Sequence, residues 1–355
     1  MKNFIPSHLQ IETVNRQCNA RCPMCTIKFV PDHEAVAEDI ESHTGWSRPA
    51  EIMPLERFGK IIDKMKKYAR EIKYISLHGC GEPLLDKSLA EKVRYARMAG
   101  FRNVGFTSNC SALTPATSER LLSAGLTCLI PSIDGFTAET HEKIRPRTDF
   151  EQIVDNVNQF IAIRNRLGSV CKLVVRMVRQ QDNQAEWPDY RAYWESRLDA
   201  SKGDQCVGFE IHNTGGKVEN YENKRLTKDA ESTAAFLSES RMPPVAPEEL
   251  YRMNFVPESD HVCIEQGDLE RVFLCPDLFS RLSIFASGRI ALCSADQAEY
   301  HPIGNILDFD DPADAFNSEV FNGYRTRWMA RNVGNDKNCF NCTVAVSRFH
   351  KHAKT

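Results

Sequence analysis

Alternation between short β-branched runs and helical patterns constrains this chain more than any other feature. Over the first two hundred residues, "SHLQIETV" (7–14), "IKYISL" (72–77), "RNVGFT" (102–107), "LTCLIPSI" (126–133), "CKLVVRMV" (171–178) and "CVGFEIH" (206–212) read as strands. Helical patterns separate them. "PLERFGKIIDKMKKYAR" (54–70) has apolar residues at 55, 58, 61, 62 and 65, one face of a helix with Pro54 near its first turn. "DKSLAEKVRYARMAG" (86–100), opened by a capping Asp, and "TPATSERLLSAG" (114–125) both close on glycine, and helical patterns follow over 137–166 and 183–198. Strand–helix units repeating every ~25–35 residues predict a parallel sheet with crossover helices, because parallel neighbours need such connections. Six units fall short of a closed eight-fold barrel. The expected fold is therefore α/β, a partial (β/α)6 TIM-like barrel over residues 1–213.

From 214 to 260 the pattern breaks into polar and Pro-rich sequence, read as a linker with one helix near 228–239. Residues 261–355 form the expected second unit, a small α+β domain with short strands around Gly288 and regularly spaced cysteines.

A formal net charge of -3 gives no electrostatic case for nucleic acid or an anionic membrane as partner. No apolar run approaches the ~18 residues of a membrane span. The opening "MKNFIPSHLQIE" lacks the apolar core of a signal peptide. With 13 cysteines and no export signal, the expectation is a cytoplasmic protein whose thiols bind metal or stay reduced.

In a parallel barrel the variable loops, and hence the site, lie at the carboxyl ends of the strands. Four such loops stand out here: "CNARCPMC" with Cys18, Cys22 and Cys25, then "HGCGEP" (78–83), "SNC" (108–110) and "SIDG" (132–135). Three thiolates on one short loop suit three irons of a [4Fe-4S] cube, leaving the fourth iron open for a reacting ligand. Zinc with one further ligand, or plain reduced thiols, are the alternatives the triplet leaves open. In the second unit, Cys275, Cys293, Cys339 and Cys342 combine two cysteines on a hairpin with a C-x2-C pair, an arrangement that by itself suits structural zinc as well as iron–sulfur.

The C-x3-C-x2-C triplet after the first strand, the G-E-P loop after the second and the strand-four "SIDG" together resemble the radical S-adenosylmethionine (SAM) superfamily, over residues 8 to 212. That resemblance implies an enzyme in which Cys18, Cys22 and Cys25 ligate the cluster and SAM chelates its open iron. Cleavage of SAM then gives a 5′-deoxyadenosyl radical that takes a hydrogen atom from the substrate. It implies that Gly81 offers backbone groups to the SAM amino group, with Glu82 and Pro83 fixing the turn. Ser132 resembles a residue near the SAM carboxylate or ribose, and Arg145 one that pairs with that carboxylate. Met24 stands where an aromatic often packs on the adenine, Cys80 where the loop usually has its first Gly, and Cys110 where a Gly often follows Asn109.

"CPDLFSRLSIFASGRIALC" with the later "CFNC" is similar to the SPASM module in its shorter twitch form. This implies one auxiliary [4Fe-4S] cluster on Cys275, Cys293, Cys339 and Cys342, with Asp296 as a base beside it. Glu210 and His212, at the end of the sixth strand, are expected substrate contacts. Cys263 belongs to neither ligand set and is the candidate hydrogen donor in an epimerase. A second cluster is a natural acceptor for an electron lost by a substrate radical. The leading expectation is thus an oxidoreductase acting on a small polar substrate such as a sugar or aminocyclitol, supplied with electrons by a flavodoxin- or ferredoxin-like donor. A peptide-modifying epimerase or cross-linking enzyme is the alternative.

Overall fold

The computed structural model describes residues 4–25, 48–214, 218–226 and 275–329, with Cys339 and Cys342. The 228–239 helix expected in the linker, and Cys263, lie outside the described residues.

The strands are β1 (His8–Ile11), β2 (Val14–Asn15), β3 (Glu51–Ile52), β4 (Tyr74–Ser76), β5 (Val104–Ser108), β6 (Cys128–Pro131), β7 (Lys172–Arg179), β8 (Gln205–Glu210), β9 (Arg281–Ile284) and β10 (Ile290–Ala291). One eight-stranded sheet runs in the order β10-β9-β1-β4-β5-β6-β7-β8, and β2 and β3 form a separate antiparallel pair. Strands β1 and β4 to β8 are parallel neighbours in sequence order, the six-strand run that the repeat predicts. The likeness to a partial barrel therefore holds.

The C-terminal hairpin adds something the alternation does not foretell. β9 pairs in parallel with β1 on its other flank, His8 opposite Arg281 and Ile11 opposite Ile284, and β10 then folds back antiparallel on β9. Gly288 makes this turn with φ +88, and a Cβ there would also meet Asn305. The first strand of the C-terminal unit is thus a strand of the barrel sheet.

Helices α1 (Leu55–Met65), α2 (Leu89–Met98), α3 (Pro115–Ser123), α4 (Ala138–Ile144), α5 (Phe150–Arg166) and α6 (Trp187–Glu195) lie along the crossovers. Several start on the cap their sequence supplies: the Thr114 side chain accepts from the Thr117 N–H and the Asp149 side chain from the Gln152 N–H. The expected Asp86 cap is displaced. The helix begins after Ser88, while Asp86 accepts from the Ser88 N–H and pairs with buried Lys92. Of the remaining helices, α7 (Tyr221–Lys224) follows β8, and α8 (Pro276–Ser280), α9 (Pro312–Phe316) and α10 (Glu319–Met329) belong to the C-terminal unit.

Strand alternation divides two environments. Leu9 and Ile11 of β1 and Leu173, Val175 and Met177 of β7 are buried in one core with Phe58, Ile61 and Phe160 of the helices. The residues between them, His8 and Gln10, then Lys172, Val174, Arg176 and Val178, are only half-buried and face the concave side. That lumen is polar. His8 Nε2 lies 2.8 Å from Ser76 Oγ, Arg281 Nε donates to His8 Nδ1 at 3.1 Å, and Gln10 Nε2 donates to the His78 carbonyl at 3.1 Å.

Candidate active site at the barrel mouth

The cysteine loop leaves β2 and is pinned on both sides by backbone hydrogen bonds. The Arg16 N–H donates to the Cys80 carbonyl, the Glu82 N–H to the Gln17 carbonyl at 2.8 Å, and the Arg21 N–H to the Pro146 carbonyl at 3.0 Å. Gly81 is where the second loop meets the first. A Cβ there would stand 2.6 Å from the Val14 carbonyl oxygen and 2.9 Å from that of Gln17, so only glycine permits this approach. Packing against the cysteine loop is thus itself a reason for the glycine.

Cys18, Cys22 and Cys25 are half-buried and in no disulfide. The Ala20 N–H donates to Cys18 Sγ at 3.4 Å, and Asn109 Nδ2 lies 3.8 Å from the same sulfur. Arg145 Nη1 lies 3.8 Å from Cys22 Sγ. Burial pushes the Cys18 thiol up to about 11, and Cys22 is raised for the same reason against the opposing charge of Arg145. Without a metal these groups hold their protons. Donors aimed at the Cys18 and Cys22 sulfurs, on a loop whose cysteines form no disulfide, fit the ligation of a metal–sulfur cluster.

Glu82 staples its own loop to the end of β5. Its carboxylate accepts from the Leu84 N–H at 3.0 Å, from Ser108 Oγ at 2.7 Å and from the Asn109 N–H at 2.9 Å. Burial raises its pKa while those donors pull it down. Cys110 adopts φ +61, the left-handed conformation a glycine would take without strain, with its N–H on Ser108 Oγ. Ser132 is buried and receives Arg176 Nη2 at 2.9 Å. Arg145 does come to the mouth, but its Nε and Nη2 both lie 2.8 Å from Asp134 Oδ2. Met24 packs with Ile211, Val218, Tyr221 and Val178, so an apolar patch surrounds it. At the end of β8, Glu210 Oε1 accepts from the Leu226 N–H at 2.6 Å, and His212 stacks on Phe209 at 5.4 Å.

The structure brings in residues that the motifs do not name. Glu12, at the end of β1, accepts from Arg48 Nη1 at 2.6 Å, the Cys80 N–H at 3.0 Å and the Ala286 N–H at 3.1 Å. Arg48 continues to the Gln297 carbonyl at 2.7 Å and lies 3.6 Å from the centre of the Phe285 ring. This buried pair ties the G-E-P loop to the C-terminal hairpin. Asp134 lay inside the quoted "SIDG", and Arg176 is the lone arginine on the lumen face of β7, the one signal that alternation offered for it.

In the C-terminal unit, Cys275 caps α8, Cys293 follows β10, and the Cys342 N–H donates to the Cys339 carbonyl at 3.2 Å. Burial drives the Cys275 and Cys293 thiols up, and each feels a further cysteine: Cys342 for the first, Cys275 for the second. Among the described residues no group of three or more Cys, His, Asp or Glu is arranged to hold a single metal ion. A cube spreads its thiolates over separate irons, a wider span than one ion's coordination shell. Asp296 is fully buried, unlike a solvated loop carboxylate. Its oxygens accept from the Tyr300 N–H at 2.8 Å and lie 3.2 Å from His301 Nδ1, and His301 Nε2 lies 2.5 Å from the Tyr324 hydroxyl. Among the described residues no helix is long and apolar enough to cross a membrane.

Residues 13–174 match the family model described as the radical SAM superfamily. An "AdoMet-dependent heme synthase" of Methanosarcina barkeri (strain Fusaro / DSM 804) is 36% identical over 99 residues, 28% of this chain and 27% of the relative. The match thus spans about a quarter of that relative's length. Among solved structures, BtrN in complex with AdoMet and 2-DOIA is similar with a TM-score of 0.54 at 14% identity, over 96% of this chain and 94% of that one. Streptococcus suis SuiB bound to precursor peptide SuiA gives 0.61 at 14% identity, over 97% of this chain and 71% of that one. anSMEcpe with bound AdoMet gives 0.60 at 14% identity, over 98% and 97%. At such identities the likeness is one of fold, and it agrees with the family match, which runs from the end of β1 into β7. Residues 13–174 of the chain thus match the radical SAM superfamily.

Proposed function

We propose that this radical SAM enzyme is an oxidoreductase that dehydrogenates a small polar substrate and passes one electron to an auxiliary [4Fe-4S] cluster. When bound, the first cluster and SAM would supply an electron and a 5′-deoxyadenosyl group able to take a hydrogen atom from a C–H bond. Cys18, Cys22 and Cys25 are the proposed ligands of that cluster, and Cys275, Cys293, Cys339 and Cys342 those of the auxiliary one. Gly81, Glu82, Ser132, Arg145 and Met24 are the proposed surroundings of SAM, and Glu210 and His212 the proposed substrate contacts. A substrate alcohol carbon that has lost a hydrogen atom becomes a carbonyl by giving up one proton and one electron. Asp296 is the proposed proton acceptor, and a flavodoxin- or ferredoxin-like protein in the cytoplasm the proposed source of the initiating electron.

One observation carries this reading. The hairpin bearing Cys293 is hydrogen-bonded into the barrel sheet beside β1, the strand that leads through β2 into the triplet loop. A polar lumen lined by His8, Gln10, Ser76 and Arg176 suits a substrate rich in hydroxyl groups. The second reading, a peptide-modifying enzyme, draws on the fold likeness to SuiB bound to its precursor peptide and to anSMEcpe with a bound peptide.

The test is iron and sulfide per chain after anaerobic reconstitution, with SAM cleavage followed as 5′-deoxyadenosine. About eight irons, with 5′-deoxyadenosine formed under reduction, is the expected result. About four irons with zinc in the second set would remove the electron acceptor and with it the oxidation reading. A product two hydrogens lighter separates oxidation from epimerisation, which incorporates solvent deuterium at carbon.

A further inference from the structure

We propose that Asp134 is a positioning residue that sets the reducing power of the cluster on the cysteine triplet, by cancelling the charge of Arg145 where that arginine meets Cys22; this rests on the cluster assignment proposed above. The aspartate is fully buried in the loop after β6. Its Oδ2 lies 2.8 Å from both Nε and Nη2 of Arg145, and its Oδ1 accepts from the Val178 N–H at 2.8 Å. The remaining arm of the guanidinium, Nη1, lies 3.8 Å from Cys22 Sγ. One arginine thus bridges a carboxylate and a sulfur of the triplet.

The surrounding chain fixes all three parts against one another. The Asp134 N–H donates to His141 Nδ1 at 3.1 Å, and the Asp134 carbonyl accepts from Asn183 Nδ2 at 3.0 Å. A Cβ at Gly135 would stand 2.6 Å from the His141 backbone nitrogen, so glycine lets this loop close on α4. Arg145 ends the same helix, with its N–H on the His141 carbonyl at 2.7 Å. The next residue, Pro146, holds the cysteine loop through the Arg21 N–H. Contact of two guanidinium nitrogens with one carboxylate fixes the plane of the group, and hence the direction of Nη1.

Hydrogen bonds to sulfur and the net charge nearby both set the potential of an iron–sulfur cluster. A lone guanidinium 3.8 Å from a ligand sulfur would favour the reduced, more negative state and so weaken the cluster as a reductant. With Asp134 on its other side the pair carries no net charge. Arg145 then orients Cys22 while adding little to the potential. Because both side chains are buried, salt screens neither charge, and the cancellation acts at full strength.

The test is a mediated redox titration of the anaerobically reconstituted protein without SAM, followed by electron paramagnetic resonance. The signal read is the one missing from the Cys18/Cys22/Cys25→Ala variant. Asp134→Asn keeps the shape but removes the charge. It should favour the reduced triplet cluster about tenfold, or about 59 mV upward for one electron, with iron content unchanged. Arg145→Gln should move the same equilibrium the other way, by about threefold to tenfold. The double variant should return to within about threefold of wild type, because the two changes cancel. An aspartate that only braces the loop predicts no such opposition of sign. If Asp134→Asn keeps its iron and its potential stays put or falls, the inference is overturned. Should that variant lose its iron, the double variant compared with Arg145→Gln reads the same charge, and a potential that fails to rise between them overturns it equally. If wild type and the triplet variant give identical signals, the cluster assignment itself fails.

Discussion

Cys18, Cys22 and Cys25 lie on one turn of chain leaving β2, whereas the second set is gathered from the start of α8, the end of β10 and a distant C-x-x-C turn. In the first set the backbone does the gathering: the Cys25 N–H donates to the Cys22 carbonyl at 2.9 Å, and neighbouring loops clamp the rest. In the second, the sheet gathers. β10 must fold back on β9 before Cys293 can approach Cys275, and the longer stretch of chain to Cys339 and Cys342 must close, each at an entropic cost. A local set can form whenever its loop is ordered. A dispersed one exists only in the finished fold.

That contrast breaks most visibly at the ligands. Replacing Cys18, Cys22 and Cys25 by Ala should take iron from about eight to about four per chain and abolish 5′-deoxyadenosine formation. Iron analysis that stays near eight would sink the assignment of the triplet. Cys293→Ala should remove the other half of the iron and stop turnover of substrate, yet leave reductive SAM cleavage within about threefold of wild type. Loss of SAM cleavage in that variant would mean that the two sets do not act separately.

Glu12→Ala probes the joint between them. It strands buried Arg48, whose loss of a partner should cost about 3–5 kcal/mol in urea unfolding. Because Glu12 also holds the Cys80 and Ala286 N–H groups, iron should fall in both sets, and a loss confined to one set would contradict the joint. Gly81→Ala acts on the local set alone. The added methyl meets the Val14 and Gln17 carbonyls, which should cost about 1–3 kcal/mol and lower only the triplet's iron. Smallest is Thr114→Ala, which removes the exposed α3 cap and touches neither set's ligands. It should cost about 1 kcal/mol with iron unchanged, separating general destabilisation from damage to a site.

Local pattern carried much of this. The strand–helix repeat gave the six parallel strands and their order, since each crossover fixes the next neighbour. The loops after those strands gave the converging mouth. What pattern could not carry was pairing at a distance: nothing in "LSIFAS" announces that it will lie beside "HLQI". Glu12 and Arg48 escaped for the same reason, because their significance depends on a hairpin far along the chain. Arg145 shows the opposite failure. Its position was legible from the motif, while its pairing with Asp134 depends on side-chain geometry that spacing does not encode.

The docking of β9 on β1 also has a consequence for biosynthesis. β1 gains one neighbour when residues 74–76 emerge, but its other edge waits for residues 281–284, and His8 and Arg281 are 273 positions apart. At ~5–20 residues per second, that edge stays open for roughly 10–40 s of translation. An unpaired parallel edge beside a half-built core invites pairing with other chains. Maturation of this protein thus turns on protecting its first strand until its ninth arrives.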